Sequence, residues 1–283
     1  AVKGSYKKAK VAIIYDWENN WALNDAQGFS NASKRYPQTL QEHYRYFWNH
    51  DIAVEVITSE ADFSKYELII GPMMYLMTED VMKRLSSYVK QGGTFVSTYI
   101  TGYVNENDLT YLGGWPQPLR EMFGIKVTET DTLYPKDRNV VHYADQSFEA
   151  NDYCSLFELE GAEVLGTYTE DFYAGKPAIT RNKYGQGAAY FIGARTNLDF
   201  LEYFYGELAK NKGLENAWVI KGDPDVSVQS RAFEDQSYRF VMNFSEETKE
   251  IQVATAGVDL ITHTAHPTTL TLAPYEVLLL AEK

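Results

Sequence analysis

Cysteine is nearly absent: of 283 residues only Cys154 carries a thiol. An internal disulfide framework is therefore excluded, and the redox compartment is left unmarked. No apolar run reaches the roughly 18 residues of a spanning helix, and no charged-then-apolar leader stands at the front. Basic charge is also scarce. Lys and Arg number 26 against 39 Asp and Glu, giving a formal net charge of −13. Nucleic-acid backbones and anionic membranes both reward Lys and Arg, so neither is expected as a partner. The acidity reads as solubility, and a cytoplasmic location is expected. Internal repeats and low-complexity segments are missing too. The chain opens on Ala1 rather than Met and enters a strand by about residue 11, as expected of a piece of something longer. Its length suits one large domain or two modest ones.

What is present begins with alternation. Val11 to Tyr15, Ala53 to Thr58, Glu67 to Gly71 and Thr94 to Tyr99 read as strands. Leu40, Tyr44, Phe47 and Trp48 recur at helical spacing, predicting a helix from about 37 to 49. Thr78 followed by Glu79-Asp80 supplies an N-cap and an acidic first turn for a second helix, lined by Val81, Met82, Leu85 and Val89 and closed by Gly92-Gly93. That order predicts a parallel α/β sheet. A long polar loop follows Tyr99, and Pro116-Gln117-Pro118 opens a short helix that stops at Gly124. From about 125 to 195 the periodicity is two, with a glycine hairpin at Tyr184-Gly185-Gln186-Gly187. Asn197 caps a last helix carrying Leu198, Leu201, Tyr205 and Leu208 on one side, and Gly213 ends it. Beyond 216 short strands separated by polar turns predict a small antiparallel sandwich. The expected domains are 1–213 and 217–283.

The most informative stretch is Tyr15-Asp16-Trp17-Glu18-Asn19-Asn20-Trp21-Ala22-Leu23-Asn24-Asp25. It follows the apolar run Val11-Ala12-Ile13-Ile14, so carboxylates, tryptophans and amides leave the carboxyl end of the first strand together. In open α/β sheets that edge handles ligands and partners. Exposed tryptophans there are costly unless something covers them.

This stretch resembles the start of the middle, trimerisation domain of glycoside hydrolase family 42 β-galactosidases. Further matching segments are Tyr36-Pro37-Gln38-Thr39-Leu40-Gln41-Glu42-His43-Tyr44, Leu68-Ile69-Ile70-Gly71-Pro72-Met73-Met74-Tyr75 and Gly92-Gly93-Thr94-Phe95-Val96. Gly102-Tyr103-Val104-Asn105-Glu106-Asn107-Asp108-Leu109 and Leu112-Gly113-Gly114-Trp115-Pro116 complete the set. The likeness is ordered over about the first 135 residues, weakens to about 215, and continues in outline into the family's small β domain. It implies an α/β fold of flavodoxin-like or class I glutamine amidotransferase-like type, a three-layer sandwich, followed by the antiparallel β-sandwich. It also implies a parent enzyme that hydrolyses terminal β-D-galactosides with retention. In that family this domain joins three subunits, so the implied partners are two further copies and the parent's own catalytic barrel. The galactoside is reached only indirectly.

Retaining glycosidases need two carboxyl groups held close over the sugar. The family's pair resembles two glutamates on a (β/α)8 barrel, which needs about 250 residues of eightfold alternation. That alternation gives out here after four or five units, so no catalytic pair is carried over and the chain alone is expected to be inactive. Asp16 with Glu18, or Glu106 with Asp108, would need perturbed titration to substitute, and such pairs are more often hydrogen-bonding or capping groups. Amidotransferase chemistry needs a thiolate on a sharp strand-to-helix turn. Ile100-Thr101-Gly102 occupies that turn, while Cys154 lies in an alternating β segment and reads as structural. Gly92-Gly93 and Gly113-Gly114 lack a phosphate-cradling context. His43 and His50 have the wrong spacing for a helical metal pair, though His43 is placed where it could face a partner; His263 and His266 have no ligand cluster beside them. No metal and no cofactor is expected. Asn31-Ala32-Ser33 and Asn243-Phe244-Ser245 match a glycan-acceptor tripeptide that arises often by chance.

The residues expected at an interface or at a neighbour's pocket are therefore Trp17, Glu18, Asn19, Trp21, Tyr103, Asn105 and Trp115. The competing expectation is that Trp17 or Trp21 covers the domain's own core. An alternative function is a free-standing amidotransferase-like domain that binds carbohydrate or another small ligand.

Overall fold

The structure, a computed structural model, describes residues 2–30, 32–117 and 119–281. Asn31 of the first tripeptide and Pro118 of the proline pair lie outside the described residues. Two compact units are present: Val11–His43 with Glu55–Phe204, and Ala1–Lys10 with Tyr44–Val54 and Tyr205–Lys283.

The chain begins with β1 (Val11–Ile14), α1 (Trp17–Asp25), α2 (Tyr36–Asn49), β2 (Val54–Ile57), β3 (Leu68–Gly71), α3 (Glu79–Lys90) and β4 (Thr94–Thr98). β1 pairs with β3 and β3 with β4, both in parallel. The continuous apolar runs of β1 and β3 are fully buried, as parallel strands require. α3 forms where its cap predicts: Val81 N donates to Thr78 Oγ1 at 3.3 Å. Its apolar stripe, Val81, Met82, Leu85 and Val89, joins one core with Ala12, Ile14, Ile69 and Phe95. Ala12 and Ile14 belong to that core while Ile13 between them does not, the period of two that a pleated strand imposes.

Next come α4 (Arg120–Phe123), β5 (Ile125–Thr132), β6 (Asn139–Tyr143), β7 (Gln146–Leu159), β8 (Glu163–Tyr168), β9 (Pro177–Tyr184), β10 (Gly187–Ile192), β11 (Ala194–Thr196) and α5 (Leu198–Lys212). All these strands join one sheet in the order β11-β7-β6-β8-β9-β10-β4-β3-β1-β2, with β5 paired to β7. β10 is the seam, parallel to β4 on one side and antiparallel to β9 on the other. The glycine hairpin forms with Tyr184 opposite Gly187, and Gly185 takes φ +60°, which suits a residue without Cβ. α5 is capped as expected: Phe200 N donates to Asn197 Oδ1 at 3.1 Å. Its buried face holds Phe200, Leu201, Phe204, Tyr205 and Leu208. Leu198, expected on that face, is exposed because the two phenylalanines pull the centre of the face away from it.

In the second unit all strand pairs are antiparallel. A three-stranded sheet (Val219–Lys221, Lys249–Val253, Thr269–Leu272) and a five-stranded one share a single core. Alternate residues supply it: Ile251 and Val253, Leu270 and Leu272 from the first sheet, Val226 and Val228, Leu278 and Leu280 from the second. Tyr6 and Ala232 exchange two backbone hydrogen bonds of 2.9 and 2.8 Å, tying the first residues to the five-stranded sheet. Asn243, of the second glycan tripeptide, is buried and donates its amide to the Glu247 and Ala273 carbonyls. No helix among the described residues is long and apolar enough to cross a membrane.

Candidate functional site

The stretch after β1 folds as a helix, α1, so Asp16 and Glu18 stand at a helix N-terminus. Asp16 stands at the N-cap in extended conformation, φ −122° and ψ 133°. Its carboxylate accepts from Ser59 N at 3.0 Å instead of from its own helix. Glu18 is exposed in the first turn. Residues i and i+2 do not face each other on a helix, so Asp16 and Glu18 do not form a pair of carboxylates over a common point.

Four candidates of the first strand end divide by burial. Asn19 is interior: its Nδ2 donates to the Met73 carbonyl at 3.0 Å and its Oδ1 accepts from Leu76 N at 2.9 Å. It fastens α1 to the turn after β3 and is removed from any surface role. Trp17 and Trp21 are 61 % and 63 % exposed, which overturns the competing expectation that either covers the domain's own core. One helical turn apart, their rings lie 6.4 Å from each other, and Trp17 stands edge-on to Tyr15 at 5.3 Å. Tyr15 stacks in turn on the buried Tyr36. Trp17, Glu18 and Trp21 thus form an exposed aromatic and acidic face on a rigid base.

The remaining candidates shape the long loop after β4. Tyr103 and Trp115 stack in parallel, 4.3 Å between centroids and 8° between planes. The Tyr103 hydroxyl lies 2.7 Å from Thr130 Oγ1 on β5, and burial pushes the phenol up to about 12. Asn105 organises the loop: its Oδ1 accepts from Asn107 N and Leu109 N at 2.9 and 3.1 Å. With the end of α1 this loop encloses a cleft of about 550 Å³. Sequence reasoning missed the cleft's other contributors, Asp25, Phe29, Asp108 and Glu129, because they converge from separate segments. Tyr75 also lines it; burial beside Asp108 pushes that phenol up to about 12.

The turn after β4 has an unusual backbone. Ile100 is fully buried at φ +57°, a left-handed conformation that a β-branched residue rarely takes. Thr101 Oγ1 is 2.9 Å from Ser97 Oγ, inside the protein and not in a solvated loop. The side chain presented at this turn is a hydrocarbon with no nucleophilic atom. Cys154 is buried on β7, and burial pushes its thiol up to about 12.

A second cluster gave no sequence signal. Arg195, on β11, is nearly fully buried and uses its whole fork. It donates to Tyr99 Oη and Asp152 Oδ2 at 2.7 Å each, to the Lys34 carbonyl at 2.7 Å, to Thr39 Oγ1 at 3.2 Å and to the Ser33 carbonyl. His43 lies within this charged surrounding. It is buried inside the unit and not on the surface where a partner subunit could meet it, and burial together with the Arg195 charge pushes it down to about 3, so it stays neutral. Among the described residues no group of three or more His, Cys, Asp or Glu is placed to hold a metal ion.

Comparison with known proteins identifies the family. The family model described as Beta-galactosidase trimerisation domain matches residues 9–215, and Beta-galactosidase C-terminal domain matches 225–282. Beta-galactosidase GalA of Bacillus licheniformis is 50 % identical over 275 residues, 97 % of this chain and 41 % of the relative. Beta-galactosidase GanA of Bacillus subtilis is 50 % identical over 276 residues, 98 % of this chain and 41 % of the relative. Among solved structures, Gan42B, a GH42 beta-galactosidase from G. stearothermophilus, superposes with a TM-score of 0.93 at 50 % identity, over 97 % of this chain and 40 % of that one. The chain thus spans about two fifths of the length of these relatives. It belongs to the glycoside hydrolase family 42 β-galactosidases and corresponds to their trimerisation and C-terminal domains.

Proposed function

We propose that this chain is the non-catalytic assembly region of a cytoplasmic β-galactosidase that cleaves terminal β-D-galactosides with retention. Three copies associate through the edge at the carboxyl ends of the parallel strands, and the parent's catalytic barrel is the other partner. The observation that carries this is the pair Trp17 and Trp21, each more than half exposed on consecutive turns of α1. Large aromatic rings held open to water on a rigid helix are the anchors from which protein interfaces are built. Glu18 lies between them, and Tyr103, Asn105 and Trp115 complete the same edge. The substrate meets this region only indirectly.

The same reading takes the fold as flavodoxin-like, close to a class I glutamine amidotransferase in three layers, with domains at 1–213 and 217–283. The left-handed Ile100 after β4 supports it, standing where such enzymes carry a nucleophile. The family matches over 9–215 and 225–282 support the division.

Light scattering on the chain tests assembly directly. A mass three times that of the 32.3 kDa chain is expected, and Trp21→Ala, or Trp17→Ala with Trp21→Ala, shifts it toward monomer. A monomer at every concentration, or a trimer indifferent to both substitutions, sinks the proposal. Galactoside hydrolysis by the purified chain is expected to read blank.

A further inference from the structure

A run of three touching rings leads from the exposed face of α1 inward to a buried charge. Trp17 stands edge-on to Tyr15 at 5.3 Å, and Tyr15 stacks on Tyr36 at 5.3 Å with 10° between planes. The Tyr36 hydroxyl accepts from Asp16 N at 3.3 Å and donates to the Ile14 carbonyl at 3.4 Å. Tyr36 is almost fully buried. Its ring and its hydroxyl therefore both bear on the strand-to-helix step that launches α1.

Tyr36 is the first residue of α2, and its own position is set from β11. Arg195 Nη2 donates to the Lys34 carbonyl at 2.7 Å and to Thr39 Oγ1 at 3.2 Å, one on each side of Tyr36 along the chain. Arg195 Nη1 donates to the Ser33 carbonyl and to Asp152 Oδ2. Between these contacts Arg35 takes φ +44°, a left-handed conformation that persists only where the surroundings over-determine it. Arg35 itself reaches Asp152 Oδ2 at 3.3 Å. The rings of Tyr99 and Tyr153 flank the Arg195 guanidinium, 5.3 and 4.9 Å from its central carbon. They share one core cluster with Tyr36 and with Leu23 of α1. A planar fork of five donors can hold this many acceptors at once, and an ammonium cannot.

We infer that Arg195 is a positioning residue for the assembly edge: by fixing the turn at 33–36 it sets Tyr36, and through Tyr15 the orientation of Trp17 against Trp21. Packed rings in contact are a physical route for such coupling. That these tryptophans join copies rests on the proposed function; that Arg195 orients them rests on the contacts alone.

Circular dichroism on the 283-residue chain tests this. Indole rings 6.4 Å apart and tilted by 35° couple their absorption into a paired band whose size follows that distance and angle. Subtracting the spectrum of Trp21→Phe from that of the parent isolates the band. The same subtraction in an Asp152→Asn background, at a temperature where the variant stays folded, is expected to show it lost. Thr39→Val, a milder cut at the same guanidinium, is expected to weaken it, and answers the case in which Asp152→Asn does not fold. Leu85→Ala opens a cavity in the core under α3 and destabilises the unit off this path, so the band survives it. No band in the parent overturns the inference. So does a band indifferent to both Asp152→Asn and Thr39→Val, or one equally lost in Leu85→Ala. Light scattering on the same samples keeps the two ideas apart. A monomer whose band obeys Asp152→Asn sinks the assembly reading only, and a trimer whose band ignores it sinks only this one. Where both hold, Asp152→Asn is expected to raise the dissociation constant of the trimer about tenfold.

Discussion

Arg195 and Asp152 form a buried ion pair, Nη1 to Oδ2 at 2.7 Å, with the arginine side chain only 3 % exposed. β11 and β7 are neighbours in the sheet, so the pair bolts two adjacent strands together. Asp152 takes φ +55°, a conformation Asp and Asn tolerate better than other side chains. Asp152→Asn therefore keeps backbone and shape and removes only the charge. Leaving a buried guanidinium without its counter-charge costs about 3 kcal/mol. Guanidinium unfolding is expected to show that loss, and a substitution costing under about 1 kcal/mol would mean that the carbonyls around Arg195 suffice. Arg195→Lys is expected to be nearly as damaging, because a point charge cannot reach Tyr99, Asp152 and Lys34 together.

Asp51 gives the protein a pH dependence of unusual direction. Its Oδ1 accepts from Val228 N at 2.5 Å. Burial outweighs that bond, the Ser227 bond and the His50 charge, and lifts its pKa from 3.8 to about 6. The native state thus holds this proton more tightly than the unfolded chain does. Its contribution is complete below about pH 4 and is lost as pH rises through about 6. Asp51→Asn removes the ionisation while its oxygen can still accept from Val228. Above pH 7 the variant is expected to be more stable than the parent by about 2 kcal/mol, with the difference vanishing near pH 4. Denaturant titrations across that range measure it, and a pH-independent difference would refute the assignment.

Cys154 is expected to be chemically silent. With no exposed surface and a thiol pushed up to about 12 by burial, it carries almost no thiolate at pH 8, and the thiolate is the reactive form. A small thiol reagent should label it only when the chain unfolds, at the unfolding rate. Rapid labelling of the folded protein would contradict its burial on β7.

How far the sequence is legible depends on whether a signal is local. α3 could be read because Thr78, its acidic first turn and its apolar stripe all lie within the helix they specify. The glycine hairpin at Gly185 and the alternation of Ile251 and Val253 are equally local. α1 is not legible, because its tryptophans and amides carry no apolar stripe; Asn19 and Leu23 are held inside by contacts from the turns after β3 and β4 that no short window contains. The candidate site shows the same limit. Trp17 and Trp21 stand out by residue type alone, whereas the cleft needs Asp25, Phe29, Asp108 and Glu129 brought together by the sheet. Arg195 was unreadable for the same reason, since its hydrogen-bond partners come from three distant segments, 33–39, Tyr99 and Asp152.

The β6–β7 hairpin is the plainest case of structure without a sequence signal, and it yields a stabilising change. Tyr143 pairs with Gln146, leaving a two-residue turn of Ala144 at φ +50° and Asp145 at φ +61°. Positive φ at both positions is the mirror-image turn that suits the twist of paired strands, and it favours Asn followed by Gly. Alanine in that region sets its Cβ against the backbone at a cost of about 1 kcal/mol. Both residues are exposed, so replacing them disturbs no core contact. Ala144→Asn with Asp145→Gly is expected to stabilise the unit by about 1–2 kcal/mol, part of the gain being offset by the freedom glycine adds to the unfolded chain. Each single change should give part of the effect. The measurement is the denaturant midpoint at constant slope. A lower midpoint for the double variant would show that the turn does not have this geometry, and with it that the register of β6 against β7 is different.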